Sequence, residues 1–271
     1  MTILYFLSII LIGVGSGFLA GLLGIGGGIL IIPSLFFLYS FFPHPHPDYL
    51  SQCILGTSNG IILINSFKNF HNYYKHGFLT LKNTVKFAGA GLIGGILGGR
   101  VASVINSDNL KIFLGVFLFL MGIKMFFPKK REQEKDFVLS DFKMNFLPFL
   151  TIGFIVGFFS GFFGIGGGIL AVPLVTAFCK VPIIFAQGFS VSLIPFNKIG
   201  GVLGYISGGM DKIGLSLPFM GFMDISLVLI CGILGAFSTR YGLRVAKKLN
   251  QEKLQKIFSI MLMIASIKII C

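Results

Sequence analysis

Long apolar runs separated by short polar stretches occupy almost the whole chain. The runs are about 20 residues long, the length that an α-helix needs to cross a hydrocarbon core of about 30 Å. They lack the alternation of apolar and polar residues that barrel strands require, and lipid offers unpaired backbone groups no partner. The pattern therefore predicts an all-α polytopic membrane protein.

Five helical segments are predicted in each half of the chain. In the first half, two segments lie within residues 3–42 on either side of Gly24–Gly28, and three more lie at about 51–69, 85–104 and 109–127. In the second half, the segments lie at about 145–163, 168–179, 183–207, 219–240 and 252–270. Residues 128–144 are rich in Lys, Arg and Glu and are predicted to form a cytoplasmic linker. Residues 1–127 and 145–271 are then two repeats within one membrane domain. The pattern leaves open whether the first two segments of each repeat cross the membrane or form a re-entrant pair.

One glycine-rich motif interrupts both halves. The letters Gly-Ile-Gly-Gly-Gly-Ile-Leu begin at Gly24 and again at Gly164, and Pro33 and Pro173 follow at the same distance. Each glycine costs a helix roughly 0.8–1 kcal/mol relative to alanine, so four glycines in five residues predict a break. The chain is therefore predicted to be an internal duplication with a broken helix in each copy.

Loop charge predicts how the two copies face. Four lysines follow the third segment of the first half, whereas the second half has only Lys212 beside Asp211 there. After the fourth segment, the excess of Lys and Arg lies in the second half instead. Cytoplasmic loops are enriched in Lys and Arg, so corresponding loops are expected on opposite sides. The copies are predicted to be inverted, and an odd number of segments per half predicts the same.

Composition agrees with a membrane protein and limits the other classes of function. The chain has 271 residues, of which 55% are hydrophobic, and its formal net charge is +13. Nucleic acid is not a predicted partner, because the Lys and Arg residues lie in loops between apolar runs. The four cysteines are far apart and the spans carry no cluster of His, Asp or Glu. We therefore predict no metal site, no cofactor and no enzymatic activity.

The breaks are the predicted substrate site. Inverted repeats with interrupted helices are typical of secondary transporters, whose site lies near the bilayer midplane. A helix that restarts after a break presents unpaired N–H groups and the positive end of its dipole, which favours a small anion. Close packing of helices is the alternative role for such glycines. The candidate substrate-binding glycines are Gly24, Gly26, Gly27, Gly28, Gly164, Gly166, Gly167 and Gly168.

Polar side chains of the third segments could complete that site. Hydroxyls and amides can donate to an oxyanion without burying a charge, although bonds between helices are the alternative role for them. Lys198 lies inside an otherwise uncharged span, where it could pair with the anion or change its protonation. Snorkelling to an interface is the alternative for this lysine. The neutral candidates are Thr57, Ser58, Asn65, Gln187, Ser190 and Asn197.

The doubled motif Gly-Ile-Gly-Gly-Gly-Ile-Leu-x-x-Pro, in a polytopic chain of this size, resembles the sulfite exporter TauE/SafE family of membrane transporters. The third segment, at Gly56-Thr57-Ser58, is similar as well. The second half has Gly188-Phe189-Ser190 at the corresponding place, so the two half-sites differ. The resemblance implies export of sulfur-containing anions of the sulfite or organosulfonate type across the cytoplasmic (inner) membrane.

These features predict a secondary transporter that moves a small anion by alternating access. An anion channel, or a membrane assembly subunit without transport activity, is the alternative. The chain has no Gly-x-x-x-x-Gly-Lys-[Ser/Thr] loop, which excludes direct coupling to ATP within it. Uniport, coupling to the membrane potential, and a proton step on Lys198 or on the substrate stay open. The oligomeric state is open too.

Overall fold

The computed structural model describes residues 2–23, 28–75, 81–127, 146–179, 183–246 and 251–270. These residues form helices α1 Thr2–Leu23, α2 Gly28–Phe41, α3 Leu50–Lys75, α4 Leu81–Val104, α5 Ser107–Phe126, α6 Phe146–Phe163, α7 Gly168–Cys179, α8 Ile183–Gly209, α9 Ile225–Ala246 and α10 Gln251–Ile270. Four of them, α1, α5, α8 and α9, contain stretches that are long and apolar enough to span a membrane. The predicted all-α polytopic fold is confirmed. The predicted linker, residues 128–144, lies outside the described residues.

A small antiparallel sheet between α8 and α9 departs from the predicted segments. Its strands are β1 Leu215–Ser216, β2 Phe219–Met220 and β3 Met223–Asp224, in the order β1-β2-β3. The apolar letters of this stretch predicted that the helix would begin at about residue 219, but α9 begins at Ile225. Gly221 lies in the turn between β2 and β3 and Gly214 lies just before β1, and they adopt left-handed φ angles of 57° and 74° that favour glycine.

The first two helices form a pair whose outer ends lie together. The rings of Tyr5 in α1 and Phe42 just after α2 are 5.2 Å apart. Helix α1 has 22 residues and spans about 33 Å, whereas α2 has 14 residues and spans about 21 Å. Helix α2 is therefore too short to cross a core of about 30 Å. It begins inside the bundle and returns to the side on which α1 begins.

Glycines bring the long helices into backbone contact. A Cβ on Gly17 of α1 would collide with the backbone of Gly235 in α9, and one on Gly157 of α6 would collide with the backbone of Gly91 in α4. Small residues allow this approach, which is how helices associate without a hydrophobic driving force between them. Helix α1 thus packs along α9, while α4 packs along both α6 and α8.

Corresponding helices of the two halves run antiparallel where they touch. In the α3–α8 pair, Gly56 lies beside Tyr205 and Asn59 lies beside Gly201. In the α5–α10 pair, Gly115 contacts Ile270, and Gly122 contacts Met263. In both pairs a later residue of the first helix therefore meets an earlier residue of the second. Two repeats that are inverted with respect to each other would produce this arrangement.

Apolar side chains lie both inside the bundle and on its surface. The core includes Ile31, Ile32 and Leu35 of α2, all 0% exposed. Other apolar side chains point away from the protein, among them Ile3 and Leu11 of α1, which are 84% and 68% exposed. Because such a surface is stable only when lipid covers it, the exposed residues agree with a membrane location.

We expect Gly17→Val to destabilise the protein and Gly15→Val, two residues away in the same helix, to leave it nearly unchanged. A Cβ on Gly17 meets the α9 backbone, whereas a Cβ on Gly15 meets nothing within 4 Å. Overpacking costs about 1–3 kcal/mol. Thermal unfolding of the two variants in detergent measures the difference, and equal losses would contradict the packing role of Gly17.

Candidate functional site

The start of one short helix lies against the break that precedes the other. Helix α2 begins at Gly28 and α7 at Gly168. A Cβ on Gly28 would lie 2.9 Å from the backbone nitrogen of Gly166 and 3.1 Å from the Cα of Ile165. Gly28 and residues 164–167 are all buried. The start of α2 therefore touches the break that precedes α7, inside the bundle. The candidates Gly24, Gly26 and Gly27 lie outside the described residues.

The second break is a turn that favours glycine. Gly164 follows the end of α6 with a φ angle of 64°, a left-handed conformation that glycine adopts without a steric penalty. The carbonyl of Gly167 accepts the first helical bond of α7, from the N–H of Ala171 at 2.8 Å. The N–H groups of Gly168 and Ile169 precede that bond and have no acceptor within the helix. They are the groups that an anion could use.

Lys198 is fully buried beside this break. Its side chain is 0% exposed, and its Nζ atom donates to Oδ1 of Asn59 in α3 and to the carbonyl of Ser160 in α6, each at 2.8 Å. The head group therefore lies between three helices rather than at an interface. Snorkelling is excluded for Lys198 in this structure.

Side chains from α3 and α6 hold the carbonyl groups around the break. The Asn59 amide donates to the carbonyls of Leu55 at 2.9 Å and Gly161 at 3.2 Å, which leaves its Oδ1 facing Lys198. The Ser160 hydroxyl donates to the carbonyl of Ile165 at 2.9 Å. These bonds give buried carbonyls the partners that they need. The two bonds of the Asn59 amide also orient its Oδ1, which accepts from Lys198.

Ser58 is a predicted residue that the structure places at the break. Its hydroxyl donates to the carbonyl of Gly164 at 2.9 Å. Asn197 lies nearby on α8. With its amide turned so that Nδ2 donates to the carbonyls of Gly91 and Leu193, both at 3.3 Å, Oδ1 faces Gly167. Both side chains therefore contact the second break or the helix that follows it.

The remaining predicted side chains are not brought to this break. The Thr57 hydroxyl accepts the N–H of Asp224 at 3.0 Å, near the start of α9. Asn65 is buried beside Gly235, and neither its amide nor the buried hydroxyl of Ser190 has a hydrogen-bond partner in the described part of the chain. Gln187 belongs to α8, and its side chain lies outside the described part.

Ser160 is the site residue that the sequence did not single out, whereas Asn59 belongs to the polar set of the third segment and was a weaker candidate from the sequence. In the alignment of the third segments, Asn59 corresponds to Val191. In the alignment of the first segments, Ser160 corresponds to Ala20. Comparison of the two copies favours positions that are polar in both, and neither of these two positions is. The signal that could have found them is their proximity to Lys198, which only the packed structure shows.

No carboxylate in the described ranges contacts Lys198. Asp224 is a buried carboxylate, but it caps the start of α9, where its Oδ1 accepts the N–H of Leu227 at 3.1 Å. Burial raises the pKa of Asp224, and hydrogen bonds from the backbone of Leu227 and Ser226 oppose that rise. The electrostatics near the second break therefore consist of one amine, neutral acceptors and the positive end of α7.

A separate cavity of about 680 Å³ lies along α2. It is lined by α1, α2, α5 and α10, with Lys111 and Lys268 among its polar residues. Its lining includes Leu30, two residues after Gly28, so one part of it reaches the first turn of α2. The second break itself is closely packed, since a Cβ on Gly164 or Gly167 would lie within about 3 Å of neighbouring atoms.

The known proteins that this chain is similar to are named as membrane transporter proteins. Residues 9–269 match the model of the family described as sulfite exporter TauE/SafE. A probable membrane transporter protein of Methanocaldococcus jannaschii is 31% identical over 252 residues, which cover 93% of this chain and 90% of that protein. Similar proteins, also named probable membrane transporter proteins, are 28% identical over 264 residues in Haemophilus influenzae (97% of each chain) and 28% over 218 in Bacillus subtilis (75% and 79%). No solved structure matches the chain.

We expect the stability effects of Asn59→Leu and Lys198→Met to be strongly non-additive. Either change alone leaves a buried polar group without its partner, at a cost of about 1–3 kcal/mol or more. The double variant removes both groups, so its loss should be smaller than the sum by about 0.5–3 kcal/mol. Denaturant unfolding in detergent measures the cycle. Lys111→Met, at a partly exposed position of α5, is the control and should change stability by less than about 0.5 kcal/mol. Additive losses would show that the contact is not energetically coupled.

Proposed function

The chain belongs to the sulfite exporter TauE/SafE family, and from that premise we propose that it is a secondary transporter for small sulfur-containing anions. The anions are of the sulfite or organosulfonate type, and they leave the cell across the cytoplasmic membrane. The observation that carries the proposal is the contact between the start of α2 and the break before α7, with Lys198 beside it. Relatives named as probable membrane transporter proteins support transport in general.

The chemistry of the break suits an oxyanion. The carbonyl groups of Gly161, Gly164 and Ile165 are already bonded to side chains, so they present little free negative charge to a ligand. The N–H groups at the start of α7 have no acceptor in their helix, and the helix dipole adds a partial positive charge there. Lys198 supplies an amine next to the break. The amine donates to the Ser160 carbonyl, and the Ser160 hydroxyl donates to the carbonyl of Ile165 in the break. A sulfite or sulfonate group has the charge and the acceptor oxygens that these donors require.

The arrangement of the halves supports a mechanism of alternating access. The antiparallel contacts of α3 with α8 and of α5 with α10 support inverted repeats, the usual construction of such carriers. The first helix of each half packs along the fourth helix of the other half, as in the α1–α9 and α4–α6 pairs. In this proposal, the contacts between the halves loosen first on one side of the membrane and then on the other. The site at the breaks stays at the centre and opens to each side in turn.

Burial of the breaks supports a carrier over a channel. Gly28, Gly164 and Gly167 are buried, and their surroundings leave no room for a Cβ without close contacts. An anion could reach them only after the helices move. A channel would need an open path along this region, and nothing in the described residues specifically favours a membrane assembly subunit.

Proteoliposomes that contain the purified protein should take up labelled sulfite or a simple sulfonate such as methanesulfonate. For a carrier, uptake saturates, and preloading the vesicles with unlabelled anion accelerates it by counterflow. A channel shows neither behaviour. Labelled sulfate, included in parallel, tests whether the site distinguishes among sulfur oxyanions. Failure of all three anions to move would contradict the proposed substrate class.

Gly167→Val should lower transport at least tenfold while the protein still inserts and purifies as a folded species. A Cβ on Gly167 lies 3.0 Å from Val156 and 3.3 Å from the Asn197 amide, so a valine crowds the approach to the first N–H groups of α7. Gly89→Val in α4, where a Cβ meets nothing within 4 Å, is the matched control. Retained transport in Gly167→Val would favour a packing role for this glycine.

A further inference from the structure

The Lys198 amine has two hydrogen-bond acceptors and no counter-charge in the described structure. Both acceptors, Oδ1 of Asn59 and the carbonyl of Ser160, are neutral, and each lies 2.8 Å from Nζ. A neutral amine has two N–H bonds, which these two acceptors satisfy. An ammonium has three donors and a positive charge. A charge at a fully buried position is strongly disfavoured unless an opposite charge accompanies it.

The elements packed against α8 offer Lys198 no opposite charge. These are α3, α4, α6, α7 and β3. Sequence places no ionisable residue in α6 and only Cys179 in α7. In the described side chains of the others and of α8 itself, the titratable groups are Cys53, Arg100, Tyr205 and Asp224. Three of them have partners elsewhere: Arg100 donates to Ser207, the Tyr205 hydroxyl to the Phe162 carbonyl, and Asp224 caps α9.

We propose that Lys198 is neutral in the empty site and takes up one proton when the anion binds, so that one proton accompanies each anion across the membrane. This inference rests on the proposed function, because it takes the anion site to lie at the breaks. The anion supplies the missing negative charge and accepts the third N–H bond. The proposed transporter therefore carries one proton together with each anion.

The transport step balances in protons and charge. On the loading side, a proton from water binds the lone pair of Nζ, and the new N–H donates to the anion. After the site opens to the other side, the anion leaves and the same proton returns to water. With a singly charged sulfonate, the loaded site carries no more net charge than the empty one. Transport is then electroneutral.

Anion affinity should therefore depend on pH. Because one proton is taken up with each anion, affinity falls by up to tenfold for each unit by which pH rises above the pKa of the empty site. Calorimetry of the detergent-solubilised protein with methanesulfonate, in two buffers that differ in ionisation enthalpy, counts the protons directly. Methanesulfonate stays ionised at all working pH values, so a proton that is taken up belongs to the protein.

We expect about one proton taken up per anion bound by the wild-type protein. No proton uptake on binding would overturn the inference. If sulfite binds and methanesulfonate does not, sulfite is used, and the protons that sulfite exchanges in a blank titration are subtracted. Lys198→Arg is the matched variant, because arginine stays protonated and its complex should form without proton uptake. If that variant does not fold, the proton count of the wild type decides.

Proteoliposomes with a pH-sensitive dye inside separate this inference from the proposed function. A methanesulfonate gradient directed inward should acidify the interior by about one proton per anion, and clamping the membrane potential should not change the rate. Anion movement without protons would overturn the coupling and leave the transporter standing. If neither sulfite nor methanesulfonate moves, the proposed function fails, and the coupling fails with it.

Discussion

Backbone groups inside a membrane protein must find hydrogen-bond partners within the protein, and at the break between α6 and α7 the helices themselves do not supply them all. The structure meets it unevenly. The hydroxyls of Ser58 and Ser160 and the amide of Asn59 bond the carbonyls around the break. The first N–H groups of α7 have no acceptor within their helix. In the proposed site, these N–H groups are the donors that an anion would use.

Glycine packing makes this arrangement possible. Gly200 and Gly204 bring α8 onto the backbone of α4, and Gly201 leaves space for the Asn59 amide, whose Oδ1 would lie 2.6 Å from a Cβ at that position. Lys198 lies three residues before Gly201, on the same face of α8, and reaches Asn59 and Ser160. Close packing and anion chemistry are thus not competing roles for the glycines of this protein. Packing holds the helices at the distances that the site requires.

The two half-sites have the same breaks but different side chains. Lys198 corresponds to Ser66 in the first half, Asn59 to Val191 in the second, and Ser160 to Ala20. The amine therefore occurs in only one copy, and each of its two supporting residues is polar in only one copy. Duplication supplies two helix starts, and divergence has placed one basic group beside them. In the proposed transporter, this asymmetry makes the second break the place where charge is compensated.

The amino-acid sequence alone predicts the helical membrane fold, and it contains the duplicated glycine motif and the lysine in an uncharged span. These follow from local composition and periodicity, which act on each segment separately. It also identified Ser58, because that residue lies in a polar cluster that the two halves share. The contact between Gly28 and Gly166, the burial of Lys198 and the roles of Asn59 and Ser160 were decided by the tertiary structure. They join residues more than 30 positions apart, and which helices meet depends on the packing of the whole bundle.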